Sequence, residues 1–198
     1  KNKAFQRSVE MAIMTLKKDC IDELNHAYVT EFSHATIPTP FLVACEKGHI
    51  NDVHTFINNM MHVNDANGDN MINKKGKSTD GYEYTPLQIA AKNEQLDVVK
   101  LLLEKGAESE ATTRGWNALH FIAAFNIKNV KTLQLLIQHH LHTTTSIIEY
   151  INHEDEVDGE TPLDCVYIYN FSTIKDEIIH VIRNYGGKTN KYDENGVW

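Results

Sequence analysis

The chain has few of the residues that mark specialised classes of protein. Its 198 residues include three cysteines, four prolines and ten glycines. Cys20, Cys45 and Cys165 are odd in number, far apart and outside any CxxC motif, which argues against a disulfide framework or structural zinc and favours a reducing compartment. No apolar run approaches the roughly 20 residues that span a bilayer. We therefore expect a cytoplasmic protein without a membrane segment.

Positive charge is also in deficit. The formal net charge is −8, from 27 acidic against 19 basic residues. This balance repels phosphate backbones and argues against a nucleic-acid or anionic-membrane binder. The content of 41% hydrophobic and 23% charged residues is that of an ordinary globular chain. The sequence begins at Lys1 without an initiator Met or an apolar leader, which we interpret as a fragment of a longer chain rather than a secretory precursor.

A short pattern recurs four times along the sequence. Its best copy reads YTPLQIAA from Tyr84, followed by LDVVKLLLEKGA from Leu96. The copies start at positions 39, 85, 117 and 161, so they are separated by 46, 32 and 44 residues. A hydroxyl before Pro86 caps a helix, and proline suits its first position. The apolar residues that follow have helical spacing, and Gly106 ends the second helix.

The pattern resembles the ankyrin repeat, whose signature T-P-L-H-x-A recurs about every 33 residues. The resemblance implies an all-α solenoid of helix–turn–helix units with hairpin loops, about four repeats plus an N-terminal helical cap. The cap is placed at 1–35, the array at 36–188 and an aperiodic tail at 189–198. Extra residues near 62–80 and 141–155 are expected to form exposed loops, because both insertions follow a second helix.

Three local patterns suggest ligands, and each has a simpler explanation. Asp65–Ile72 resembles the start of a calcium loop but lacks the required glycine and glutamate, so a polar turn is favoured. Gly76-Lys77-Ser78 resembles the end of a phosphate-binding loop, yet the first glycine of that motif is missing. The histidines 139, 140 and 142 are expected to end a helix, where they complement its dipole. We therefore expect no metal and no cofactor.

The acidic run Glu154, Asp155, Glu156, Asp158 and Glu160 leaves two interpretations open. It is either a solvated loop or a patch for a basic partner. No nucleophile, base and orienting group can be assembled locally, so we expect no enzyme activity within the chain.

The resemblance implies a protein–protein interaction module, an adaptor or scaffold, or a pathogen effector acting in the host cytosol. The alternative is a regulatory or substrate-targeting fragment of a larger enzyme whose catalytic domain lies elsewhere. A protein partner and a monomeric state are expected.

The binding surface is expected on the hairpin tips and the concave face, where ankyrin proteins carry their contact residues. Aromatic and arginine side chains there are typical of interface hot spots. The predicted partner-binding residues are Tyr82, Tyr84, Lys92, Asn93, Arg114, Trp116, Phe125, Asn126, Glu160 and Tyr169. We expect Tyr84, Trp116 and Phe125 to form one exposed stripe. The alternative for Trp116 is packing on the next hairpin.

Overall fold

The structure is a computed structural model that describes residues 39–60, 71–125, 127–143 and 146–192. Each repeat is a pair of helices. The pairs are α1 (Thr39–Lys47) with α2 (Ile50–Met60), α3 (Pro86–Lys92) with α4 (Leu96–Glu104), α5 (Ala118–Ala124) with α6 (Lys131–Thr143), and α8 (Pro162–Tyr169) with α9 (Lys175–Asn184). The predicted cap at 1–35 lies outside the described residues.

The first helices of units two, three and four begin where the sequence predicts. The Thr85 hydroxyl oxygen accepts the N–H of Gln88, and the Gln88 side chain accepts the N–H of Thr85. Asn117 and Thr161 form the same reciprocal arrangement at the starts of α5 and α8. Such boxes satisfy backbone donors that a helix start leaves unpaired. Asparagine in unit three therefore replaces the capping threonine without losing the cap.

The units stack into a solenoid, as the repeat pattern predicts. The inner helices α1, α3, α5 and α8 pack one against the next, and α2, α4 and α6 form an outer layer. The largest fully buried side chains are Phe41, Leu42, Ile57, Leu87, Ile89, Leu102, Leu119, Ile122, Leu133, Leu136 and Ile137. They come from both layers and from the first three units. Neither helix of a pair can bury its apolar stripe alone, so stacking supplies the core.

The described part of the first insertion packs against the rest of the fold. A 3₁₀ turn at Met71–Asn73 buries Ile72, and β1 (Gly76–Lys77) pairs antiparallel with β2 (Glu83–Tyr84). The expectation of an exposed loop is thus wrong for this part, because Ile72 joins the core. The calcium-like segment lies almost wholly outside the described residues. The glycine of the Gly76-Lys77-Ser78 motif and its lysine form strand β1.

The prediction of an exposed loop is also wrong for the second insertion. It forms helix α7 (Ile147–Ile151), in which Tyr150 and Ile151 are buried. The helix packs on α6, and the Asn152 side-chain amide donates to the carbonyl of Gly186 beyond α9. Its apolar residues explain the outcome, because burying them repays the ordering of the extra chain.

The start of the predicted tail lies against unit four. The Asp164 carboxylate accepts the N–H groups of Asn190 and Lys191. The Thr161 hydroxyl donates to the Lys188 carbonyl, and Tyr192 stacks on Tyr167 with ring centroids 5.2 Å apart. Residues 188–192 therefore occupy the place that the next hairpin would take in a longer stack.

Candidate partner-binding groove

Three hairpins and two inner helices enclose a concave groove of about 720 Å³. We name the hairpins by the unit that follows: the second hairpin is 75–84, the third is 111–116 and the fourth is 154–160. A β-bridge between Thr113 and Trp116 closes the third hairpin. In the fourth, the Asp155 N–H donates a hydrogen bond to the Glu160 carbonyl. Five predicted binding residues line the groove: Tyr82, Tyr84, Arg114, Trp116 and Tyr169.

A row of aromatic rings lines the groove. Tyr84 contacts Phe121 edge-on at a centroid distance of 5.3 Å, and Phe121 contacts Trp116 at the same distance. Trp116 lies 5.9 Å from Tyr169, at a tilt of 50°. Rings at such separations and angles attract one another beyond their buried area. The row runs from the second hairpin to the fourth unit and gives the groove a rigid apolar surface.

Trp116 packs on the next hairpin, which is the alternative that the sequence left open. Its indole N–H donates to Asp155 at 3.0 Å, and its ring is only partly buried. The other Asp155 oxygen accepts the N–H groups of Val157, Asp158 and Glu160. Burial alone would raise the pKa of Asp155, but these donors outweigh it and lower that pKa. Trp116 thus fixes the fourth hairpin while one part of its surface faces the groove.

Tyr84 is not an exposed tip residue, and this part of the prediction is wrong. Its side chain is 5% exposed, because the strand alternates and turns Glu83 outward instead. The Tyr84 hydroxyl donates to Asp80 at 3.0 Å. Tyr84 therefore lines the floor of the groove and stabilises the second hairpin.

Lys92 is tied to the same cluster. Its ammonium donates to Asp80 at 2.7 Å and to the Tyr84 hydroxyl at 2.8 Å, and lies 4.6 Å from the Tyr84 ring and 4.7 Å from that of Phe125. Burial tends to lower the pKa of Lys92, but the bonds to Asp80 and Tyr84 raise it overall. Contacts within the protein already occupy the Lys92 ammonium. This argues against the predicted role of Lys92 in binding a partner. Asn93 ends α3 as an exposed residue.

Glu160 is the second predicted tip residue that the structure buries. It is 4% exposed, pairs with Lys191 at 3.0 Å and accepts from the Tyr169 hydroxyl at 3.4 Å. Burial, followed by the negative charge of Glu160, raises the pKa of Tyr169 to about 12. Tyr169 and Phe125 stay about two-fifths exposed, and Asn126 lies outside the described residues.

The acidic run divides into two sets. Asp155 and Glu160 are buried and hold the fourth hairpin, whereas Glu154, Glu156 and Asp158 are exposed. The opposite end of the groove carries Lys75 and Lys77, both exposed.

Several lining residues were missed by sequence reasoning. They are Lys75, Lys77, Phe121 and Val157. The pairing of β1 with β2 brings the two lysines to the groove, and the local sequence pattern does not specify that pairing. Val157 is 76% exposed between acidic neighbours and adds apolar surface to the groove.

The histidine cluster lies at the end of α6, as the sequence predicts. His140 is 1% exposed, stacks on Tyr150 with centroids 4.2 Å apart and contacts Ser109 at 3.4 Å. Among the residues that the structure describes, no three His, Cys, Asp or Glu side chains could hold a metal ion together. Across those ranges no helix has the length and apolarity needed to cross a bilayer.

The molecule is thus a helical-repeat protein with a concave groove between its hairpins. A family model described as "Ankyrin repeats (3 copies)" matches residues 10–113 and 41–146, and the chain belongs to the ankyrin repeat family. No curated protein sequence matches the chain. Ankyrin repeats are generally protein–protein interaction modules, and domains built from them are typically not catalytic.

Proposed function

We propose that the protein is an adaptor or scaffold that binds a protein partner through this groove and its hairpin rims. The observation that carries the proposal is the convergence of Tyr82, Arg114, Trp116 and Tyr169, from three successive units, on one concave surface. Aromatic and arginine side chains give large contact areas at low entropic cost. Tyr82 is 57% exposed and Tyr169 41% exposed, so a partner can bury both.

The proposed compartment has separate support. The thiols of Cys45 and Cys165 are buried and unpaired by disulfides, which supports a reducing, cytoplasmic compartment. An effector in a host cytosol and a regulatory fragment of a larger enzyme would both use the same groove. The length of the complete reading frame distinguishes an adaptor from an enzyme fragment.

The test compares two double variants in affinity capture from cell lysate with quantitative mass spectrometry. Tyr82→Ala/Tyr169→Ala removes exposed aromatic area inside the groove. Leu141→Ala/Phe171→Ala removes exposed apolar side chains that do not line it. We expect the first variant to lose its reproducible partners and the second to keep them, with both variants still folded and melting cooperatively. Retention of the same partners by the groove variant would place the binding surface elsewhere.

A further inference from the structure

The two ends of the groove carry opposite charge. At the second hairpin, Lys75 and Lys77 are exposed, with Glu83 opposite Lys77 in the β-ladder. The Lys92 ammonium neutralises Asp80, the other carboxylate of this hairpin, so Lys75 and Lys77 against Glu83 leave that end positive. At the fourth hairpin, Asp158 is exposed next to the Asp155 carboxylate.

The middle of the groove is apolar and contains one cation. Trp116, Phe121 and Tyr169 supply ring surface, and Val157 extends it towards the fourth hairpin. The Arg114 guanidinium lies 5.9 Å from the centroid of the Tyr82 ring, so this cation is placed on the basic side of the centre. A ligand side chain over Trp116 and Tyr169 contacts ring surface.

The spacing of the hairpins sets the length of a ligand that reaches both ends. Packed helices lie about 8–10 Å apart, so the second and fourth hairpins are separated by roughly 20 Å. An extended chain advances about 3.3 Å per residue and covers that distance in about six residues. A short extended segment therefore reaches both charged ends, whereas one side chain reaches only one of them.

We propose that the groove binds one extended segment of the partner protein, with a basic side chain at Asp158, an apolar side chain over Trp116 and Tyr169, and an acidic side chain at Lys75 and Lys77. The inference rests on the proposed function and adds the chemistry of the partner. Opposite charges about six residues apart would fix the direction in which the segment lies, because reversing it places like charges together.

The probe is a displayed library of random 12-residue peptides, selected on the full chain. Wild-type protein should enrich peptides with a basic and an acidic residue about five to seven positions apart, flanking an apolar residue. Asp158→Lys should abolish the preference for the basic residue, and Lys75→Glu/Lys77→Glu should abolish that for the acidic residue. Each reversal should weaken a wild-type-selected peptide about tenfold or more at low salt, since like charges then face each other.

Matched charge reversals on outer helices control for the change in net charge. Glu104→Lys is the control for Asp158→Lys, and Lys100→Glu/Lys131→Glu is the control for Lys75→Glu/Lys77→Glu. All three control residues are exposed. These controls should leave the selected motif and its affinity unchanged. Enriched peptides without a charge order, or with the same order in the groove variants, would overturn the inference.

Two outcomes distinguish a failure of this inference from a failure of the proposed function. If no peptide is enriched but lysate partners still depend on Tyr82 and Tyr169, the groove binds a folded surface and the extended segment is wrong. If neither peptides nor partners depend on the groove, both proposals are wrong.

Discussion

The junction between units two and three and the junction between units three and four use the same helix position with different chemistry. In unit two, the Gln88 amide donates to the carbonyls of Ala111 and Trp116, and its oxygen accepts from the Thr113 hydroxyl. In unit three, His120 lies at the equivalent position and Nε2 bonds to the Glu160 carbonyl at 3.1 Å.

The difference shows that one repeat position can link units through either a neutral or a titratable group. Gln88 spans the junction with several bonds that do not depend on pH, whereas His120 spans it with one bond from a ring that can gain a proton. Asp164, at the same position in unit four, accepts N–H groups of residues 190 and 191 instead. The predictions below test how much stability each version supplies.

The largest effect is expected at Gln88, whose side chain is 1% exposed. Gln88→Met keeps the volume and removes the bonds that Gln88 makes across the junction, leaving the Thr85 N–H and the Thr113 hydroxyl buried without this partner. Loss of about 3–5 kcal/mol of unfolding free energy is expected, since each stranded buried group costs about 1–3 kcal/mol. Urea denaturation measures it. Gln138→Met, at an exposed site of α6, is the control and should change stability by less than about 0.5 kcal/mol.

The second prediction concerns acid stability through His120. Burial lowers the pKa of His120 from 6.5 to about 4, so between those pH values the unfolded chain holds a proton that the folded chain lacks. Stability should therefore fall as the pH drops from 6.5 towards 4, by roughly 3 kcal/mol in total.

His120→Gln tests the same point by giving unit three the chemistry of unit two. Denaturation at pH 7 and pH 4.5 should show a smaller loss on acidification in the variant than in wild type. An equal loss in both proteins would mean that His120 is not the group responsible.

The third prediction separates hairpin packing from backbone strain. Gly115 and Gly159 precede the caps of α5 and α8 by two residues and have φ of 81° and 67°. An added Cβ at Gly115 would lie 2.3 Å from the Glu156 backbone nitrogen, whereas at Gly159 the nearest atom is 4.0 Å away. Gly159→Ala should cost about 1 kcal/mol from strain alone, and Gly115→Ala about 2–3 kcal/mol because the hairpins must separate. Equal losses in thermal or urea unfolding would contradict this contact.

The smallest effect is expected at Asp164. Asp164→Asn removes one acceptor oxygen from the bonds to residues 190 and 191 and should cost about 1 kcal/mol. Amide hydrogen exchange should become faster at Asn190 and Lys191, while exchange in α3 and α4 stays unchanged. Protection retained at both amides would show that other contacts hold this segment.

Local signals predicted the units well because caps and apolar stripes are properties of neighbouring residues. Thr85-Pro86 and Thr161-Pro162 begin helices as expected, and Leu102 in the apolar stripe of α4 is fully buried. Comparison with a fixed period revealed the insertions but could not show whether they pack.

The binding residues were harder to predict because their burial depends on distant parts of the chain. Glu160 is buried by Lys191, which lies 31 residues later, and Trp116 is held by Asp155, 39 residues away. Tyr84 faces inward because β1 pairs with β2, and nothing in the local pattern specifies that register.

Chemical labelling of the two buried thiols can follow the opening of each end of the described stack separately. Cys45 lies in unit one and Cys165 in unit four, both fully buried, and burial raises the pKa of each thiol. A thiol reagent can therefore attack either site only when its own unit opens. The rate of labelling at each position, resolved by mass spectrometry, reports the opening of each end without an engineered cysteine.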